Sequence, residues 1–307
     1  MFLFSAIAIF CFGLVFGSFL NVCIHRIPRE QSVVWPGSAC PTCREEIRFY
    51  DNVPMFSWLV LRGRCRNCKA PISPRYLLVE LLTGVLFLFC FLEFGLSLST
   101  LKYCVFCFLI VGLVFIDAEW KLLPDQLTLT GLVVGIAFSI IVPVNDFLAQ
   151  ILPTHMDMSV GGNCWRLVSL GDSVLGAVVG ASFIYGVGEI YLRARGVQGM
   201  GFGDVKLMAM VGAFLGTRLT VVTLFGASLV GSLFGLTAVL NVWCIRTRRR
   251  VERNHEPFAV ARRRAWHSAS LVYRFYQIPF GVFLGSVALI ALFFGNALLR
   301  RYWSLYG

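Results

Sequence analysis

The sequence predicts an all-α polytopic membrane protein: about eight transmembrane helices with a small cytoplasmic loop domain held by four cysteines. Three observations carry that expectation. Hydrophobic residues make up 58% of the 307 residues and charged residues 14%, with a mean hydropathy of +0.77, more apolar surface than one soluble core of this length buries. The apolar residues gather in runs close to the length of about 20 that crosses a bilayer as a helix. The basic residues gather in two blocks, nine Lys/Arg between His25 and Tyr76 and nine from Arg246 to Arg274.

The first run, Phe2 to Ile24, has no Lys or Arg before it and is too long for the apolar region of a cleaved signal, so it reads as a true span. The further runs cover 77–96, 99–117, 126–144, 172–192, 205–217, 219–245 and 275–299. The sixth is short for a full crossing and predicts a tilted, broken or partly inserted helix. Under the positive-inside rule both basic blocks are cytoplasmic and both termini lie outside. Arg193 and Arg195 agree, Arg300 and Arg301 run against it, and the polar stretch 145–171 falls outside. The net charge of +11 is therefore a signal of orientation in the lipid bilayer, and nucleic acid is not expected as a partner. The domain reading is 1–24 as first helix, 25–76 as cysteine loop and 77–307 as membrane-embedded core. GAVVG (176–180) and GSLFG (231–235) predict close helix contacts. No internal repeat is visible, and nothing constrains the oligomeric state.

Seven of the eleven cysteines sit in or beside apolar runs, where cysteine behaves as a small hydrophobe. The other four form two pairs, Cys40-Pro-Thr-Cys43 and Cys65-Arg-Asn-Cys68, with 21 residues between them. Two such knuckles present four thiolates to a zinc ion. Two disulfides or a redox pair are the alternative, but a cytoplasmic loop is kept reduced. A loop of this size cannot build much of a core, so the metal is expected to be structural, closed by four ligands.

Two carboxylates stand out against the apolar background. Asp117 ends the third run and Asp204, in Met200-Gly-Phe-Gly-Asp-Val-Lys206, precedes the sixth, so the topology puts both at the cytoplasmic ends of their helices. Ionisable residues at that depth cost free energy unless they face protein or water, and they mark function. Two carboxyls at one depth can share a water and a proton, one as general base and the other as general acid. The bland readings are an N-cap for Asp204 and a solvated interfacial residue for Asp117. The dipole at a helix C-terminus favours the neutral form of Asp117 and the N-terminal position of Asp204 its ionised form, which assigns Asp117 as acid and Asp204 as base. Asp125, in Leu122-Leu-Pro-Asp125, reads as an N-cap of the fourth helix and as the runner-up for the pair. Gly201 and Gly203 are expected to clear space around Asp204 and to permit positive φ; Lys206 is a candidate auxiliary.

GSFLNV (17–22), CPTC with CRNC, FIDAEWKLLPD (115–125), GFGD (201–204) and IPFG (278–281), in this order along nearly the whole chain, strongly resemble the type IV prepilin peptidases. The resemblance implies an aspartic intramembrane protease of the GxGD class in the bacterial inner membrane. Such an enzyme removes the basic leader of type IV prepilins or type II secretion pseudopilins at the cytoplasmic face. It then N-methylates the new N-terminus from S-adenosylmethionine. The family's catalytic aspartates map onto Asp117 and Asp204, and the aspartate of its (L/I)PD motif onto Asp125. Two departures are visible: Ala118-Glu119-Trp120-Lys121 follows the first aspartate in place of the usual polar and basic pair, and Gly63-Arg64 stands for the Gly-Lys before the third cysteine, a region linked to methyl transfer. Stretches 145–171 and 246–274 look like insertions. A leader peptidase without methyl transfer is the near alternative. An ion-coupled transporter would place carboxylates at the midplane between repeats, which are absent here, and a membrane scaffold built on the zinc loop would need no aspartate pair.

Overall fold

A computed structural model describes residues 1–143, 164–196, 199–254, 257–275 and 279–304. Among them the regular structure is helical, apart from two isolated bridges, Ala39 with Glu46 and Arg64 with Pro71. Lipid offers no partner to a backbone N–H or C=O, so spans that satisfy their own backbone are the required solution. Helix α1 covers Phe2–Arg26; α2, Phe56–Val60, is a short helix in the cysteine module. The spans α3 (Arg75–Phe94), α4 (Leu98–Trp120) and α5 (Asp125–Ile141) follow. Then come α6 (Cys164–Arg195), α7 (Phe202–Asn254), α8 (Phe258–Phe275) and α9 (Phe280–Trp303). Most of the polar stretch 145–171 lies outside the described residues.

The short sixth run has a physical explanation. Inside α7, Gly216 takes φ 75° and ψ 175°, a conformation open essentially to glycine alone, and breaks the helix in two. Residues 212 and 217 both lie against Gly176 of α6, while Met208 and Thr220 both lie against Gly180. The two arms therefore fold back on each other at Gly216. The first arm, 202–215, needs no full crossing length because it is enclosed by protein: Leu207, Met208, Met210, Val211, Phe214 and Leu215 are all but inaccessible. With α7 counted as two arms, the apolar helices number eight among the described residues, as the sequence predicts.

Close contact is set by small residues, as expected where lipid removes the hydrophobic drive between helices. A Cβ on Gly212 would stand 2.2 Å from the backbone of Gly176, and one on Gly17 of α1 would stand 2.7 Å from Glu80 Cα. Helix α4 is central, with Phe106, Ile110, Leu113 and Ile116 fully buried. The GSFLNV motif is a packing seam: Gly17 meets α3, Leu20 fills the space over Gly112 of α4, and the Asn21 amide donates to Tyr76 O at 3.0 Å. Rings of Phe2 and Phe91 meet at 5.4 Å, so the start of α1 and the end of α3 share the end of the bundle opposite the cysteine module.

The basic stretch 246–274 is helical rather than an open loop. The second arm of α7 runs on to Asn254 and α8 packs back along it. Ala261 and Ala265 are fully buried, and Trp243 and Trp266 meet edge to face at 5.5 Å.

Candidate active site and cysteine centre

Asp117 lies one turn before the end of α4. Lys121, in the left-handed conformation, ends the helix by donating its N–H to Asp117 O. The extended Pro124 then starts α5, and the tight turn between them aims Leu123 inward, 8% exposed. Leu123 is the wedge of the site: its side chain fills the space beside Gly203 on one side and beside Gly281 on the other. Through it the first turn of α7 and the first turn of α9 close around the end of α4.

The structure brings Asp117 and Asp204 together. They are 5% and 8% exposed, and Leu123 links them, touching Gly203 beside Asp204 and Gly281, which in turn packs against Asp117. Asp117 Oδ2 accepts the Val282 N–H at 3.0 Å, and Gly281 packs so closely that a Cβ there would stand 2.8 Å from the same oxygen. This donor is complementary to a carboxylate and works against the helix-dipole basis for making Asp117 the acid. Asp204 is not an N-cap: α7 begins at Phe202 and Asp204 N donates to Gly201 O at 3.1 Å. Neither Gly201 nor Gly203 has positive φ. Gly203 is required instead by Leu123, whose Cβ would stand 2.9 Å from a Cβ at 203, while Gly201 is open, with Asp204 Oδ2 at 3.9 Å.

Asp125 is set apart from the buried pair. Pro124 occupies the N-cap and Asp125 makes no capping bond; it is 59% exposed and pairs with Lys206 Nζ at 2.6 Å, clasping α5 to α7 beside the site. Arg75 pairs with Glu119, and Arg29 lies over Trp120 at 4.6 Å, so the start of α3 and the end of α1 line the same face. Sequence reasoning missed the part played by Gly281 and Val282. The IPFG motif was the available signal, and its glycine is the residue against Asp117.

The cysteine module shows two matching knuckles. Cys40 N donates to Glu45 O and Cys65 N to Ala70 O; Arg44 N returns to Cys40 O and Lys69 N to Cys65 O. Arg44 and Lys69 both take positive φ. The four Sγ atoms lie within 4.8 Å of one another, with Cys40 to Cys68 at 3.8 Å and Cys43 to Cys65 at 4.0 Å. A tetrahedron with Zn–S of about 2.3 Å has edges of about 3.8 Å, so the donor set fits zinc and is far too open for disulfides. Among the clustered thiols the Cys43 backbone N–H draws Cys40 down while desolvation and the neighbouring thiols push Cys43 up, so the first proton leaves readily and the rest require the metal. The module is tied to the bundle by Met55 N, which donates to the buried Glu80 carboxylate at 2.7 Å. Gly63, at φ 64°, lies against Trp58. Next to it Arg64, with Arg62 and Lys69, lines a basic cavity of about 430 Å³.

Two family models match the chain: the Bacterial Peptidase A24 N-terminal domain over residues 11–94 and the Type IV leader peptidase family over 103–236. Among curated proteins, a prepilin leader peptidase/N-methyltransferase of Aeromonas hydrophila is 34% identical over 96% of this chain and 92% of its own length. One of Pseudomonas aeruginosa is 30% identical over the same shares, and one of Myxococcus xanthus is 38% identical over 76% of this chain and 63% of its own length. No solved structure matches the chain. With relatives aligned over nearly its whole length and two buried aspartates where its helices converge, the chain belongs to the type IV leader peptidase family.

Proposed function

We propose that this protein is a prepilin peptidase that removes the leader from type IV prepilins or type II pseudopilins and N-methylates the new N-terminus. The observation that carries the reading is the buried pair Asp117 and Asp204, held at one end of the bundle by three converging helix ends. In this mechanism the two carboxyls share one proton. One carboxylate takes a proton from a water as its oxygen attacks the scissile carbonyl, and the other carboxylic acid gives its proton to the departing amide nitrogen. Val282 N–H holds Asp117 in place for this exchange. Asp125 and Lys206 clasp the neighbouring helices, and Gly201 leaves the approach to Asp204 free of side chains.

The orientation follows from charge: the cysteine module and the basic hairpin lie in the cytoplasm and both termini outside, in the bacterial inner membrane. The division into 1–24, 25–76 and 77–307 then separates a first transmembrane helix, a cytoplasmic tetracysteine zinc loop and the membrane-embedded peptidase core. Cys40, Cys43, Cys65 and Cys68 would hold a structural zinc, with no position left open for catalysis. S-adenosylmethionine would supply the methyl group. The basic cavity beside Gly63 and Arg64 supports a place there for its carboxylate. Mass spectrometry of a co-expressed prepilin reads both activities at once, as leader loss and as one added methyl. Asp117→Ala and Asp204→Ala are each expected to abolish leader loss; wild-type cleavage by either variant would overturn the dyad.

A further inference from the structure

Helix α7 does not stop where the bundle does. Gly231 lies against Phe280, the first residue of α9, and from there α7 continues to Asn254, about 34 Å of helix at 1.5 Å per residue. This extension and α8 form an antiparallel hairpin, pinned by Trp243 Nε1 donating to Arg262 O at 3.1 Å and by Arg246 donating to Ser268 O at 2.8 Å. The Type IV leader peptidase family match ends at 236, close to the foot of this hairpin.

Its surface combines two chemistries. Residues 246–274 hold nine arginines against two glutamates, and Arg249, Arg253 and Arg263 are exposed. Large apolar side chains are exposed among them: Phe258, Val260 and Trp266 on α8. Between the helices a cavity of about 370 Å³ is walled by Trp243, Val251 and Phe258, with Arg248 and Arg262 also lining it. Nucleic acid or an acidic protein would answer the arginines and leave the apolar residues in water. A membrane surface answers both, because amphipathic basic helices bury their apolar side in the acyl boundary and present arginines to anionic headgroups. The hairpin is also continuous with a membrane span, so that surface is always within reach.

We propose that the α7–α8 hairpin is a membrane-surface anchor that binds anionic phospholipid headgroups of the leaflet from which it emerges. The proposal rests on the bundle spanning a bilayer and not on the peptidase reading. Because the hairpin springs from Gly231 and returns to Phe280, next to Gly281 and Asp117, its attachment to lipid would steady the rim of the aspartate site.

The test uses the full chain in nanodiscs of phosphatidylcholine or of phosphatidylglycerol, with amide hydrogen exchange read over residues 246–275. Exchange there is expected to be slower in phosphatidylglycerol by about fivefold or more, the factor that one arginine contributes near an anionic surface. High salt and the combined Arg262→Glu, Arg263→Glu, Arg264→Glu variant are expected to erase the difference, while exchange in α4 stays as in wild type and reports an intact bundle. Equal exchange in the two discs would overturn the proposal. So would protection that survives the charge reversal, or protection that arises in phosphatidylcholine only on adding an acidic protein.

Discussion

Replacing Gly281 with alanine should disable the site while leaving the fold in place, and the structure sets the size of the effect. The new Cβ would stand 2.8 Å from Asp117 Oδ2 and 3.1 Å from both Asp117 Cγ and Leu123 Cδ1. Carbon and oxygen rest at about 3.3 Å or more, so the carboxyl must retreat by about half an ångström. The same oxygen accepts Val282 N–H at 3.0 Å, and a retreat of that size takes the bond to the edge of hydrogen-bonding distance. A hydrogen bond to a charged group contributes about 1.5–3 kcal/mol, which corresponds to a loss of about tenfold to a hundredfold in kcat/KM. The assay is cleavage of a purified prepilin in detergent, with kcat and KM separated; under the proposed dyad mechanism the loss falls on kcat. Gly285→Ala is the control. Its Cβ would press on Val114 Cγ2 at 2.5 Å, one turn further along α9 and away from the carboxyl, so it should lower thermal stability without a selective loss of kcat. Gly281→Ala cleaving within about threefold of wild type would refute the reasoning, as would equal losses in the two variants that follow the folded fraction.

Four further outcomes follow from the same contacts. Removing the metal with a strong chelator, or Cys40→Ser with Cys65→Ser, should abolish binding of about one zinc per chain and unfold residues 38–72, seen as fast amide exchange there with the spans still protected. Arg66 holds the Asp51 carboxyl below the usual aspartate range through a paired hydrogen bond. Its stabilising effect is thus complete above the unfolded value of about 3.9 and is lost as pH falls through the lower folded value; the stability gap between wild type and Asp51→Asn, present at neutral pH, should close in acid. Gly216→Ala should destabilise the protein by about 1–3 kcal/mol, read as a lower thermal midpoint in detergent, because no other residue adopts that reversal without strain. Asp125→Asn breaks an exposed pair with Lys206 worth about 0–1 kcal/mol, so cleavage should persist within a few-fold, and abolition would place Asp125 in the chemistry.

What could be read in the sequence and what could not divide along a physical line. Asp117 and Asp204 were legible because a carboxylate in an apolar run is costly and therefore conspicuous, and the four cysteines because a repeated two-residue spacing carries metal geometry in one dimension. Gly281 and Gly216 were legible only in part: IPFG marked the one and the short sixth run pointed to a break near the other, but the role of neither glycine could be read. Glycine is common in membrane helices, and what sets these two apart is the atom that approaches one and the φ adopted by the other, neither of which leaves a trace in composition. The N-cap readings of Asp204 and Asp125 failed at the scale of a single turn. The helix of Asp204 begins three residues before its apolar run and that of Asp125 one residue before, which frees Asp204 to face Asp117 and Asp125 to reach Lys206. The basic stretch misled most, since its arginines interrupt the hydropathy signal that marks a span, although alanines at 261 and 265 lie at the helical spacing that packs α8 on α7. A residue whose role lies in its own charge or ligand atom is thus visible in one dimension, while a residue whose role is to let another approach becomes visible only when the partner is in place. Leu123 makes the point at the site itself. As one of two leucines before Pro124 it carries no chemical signal, yet it fills the space between Gly203 and Gly281, and through it the two aspartate-bearing helix ends are held at one place.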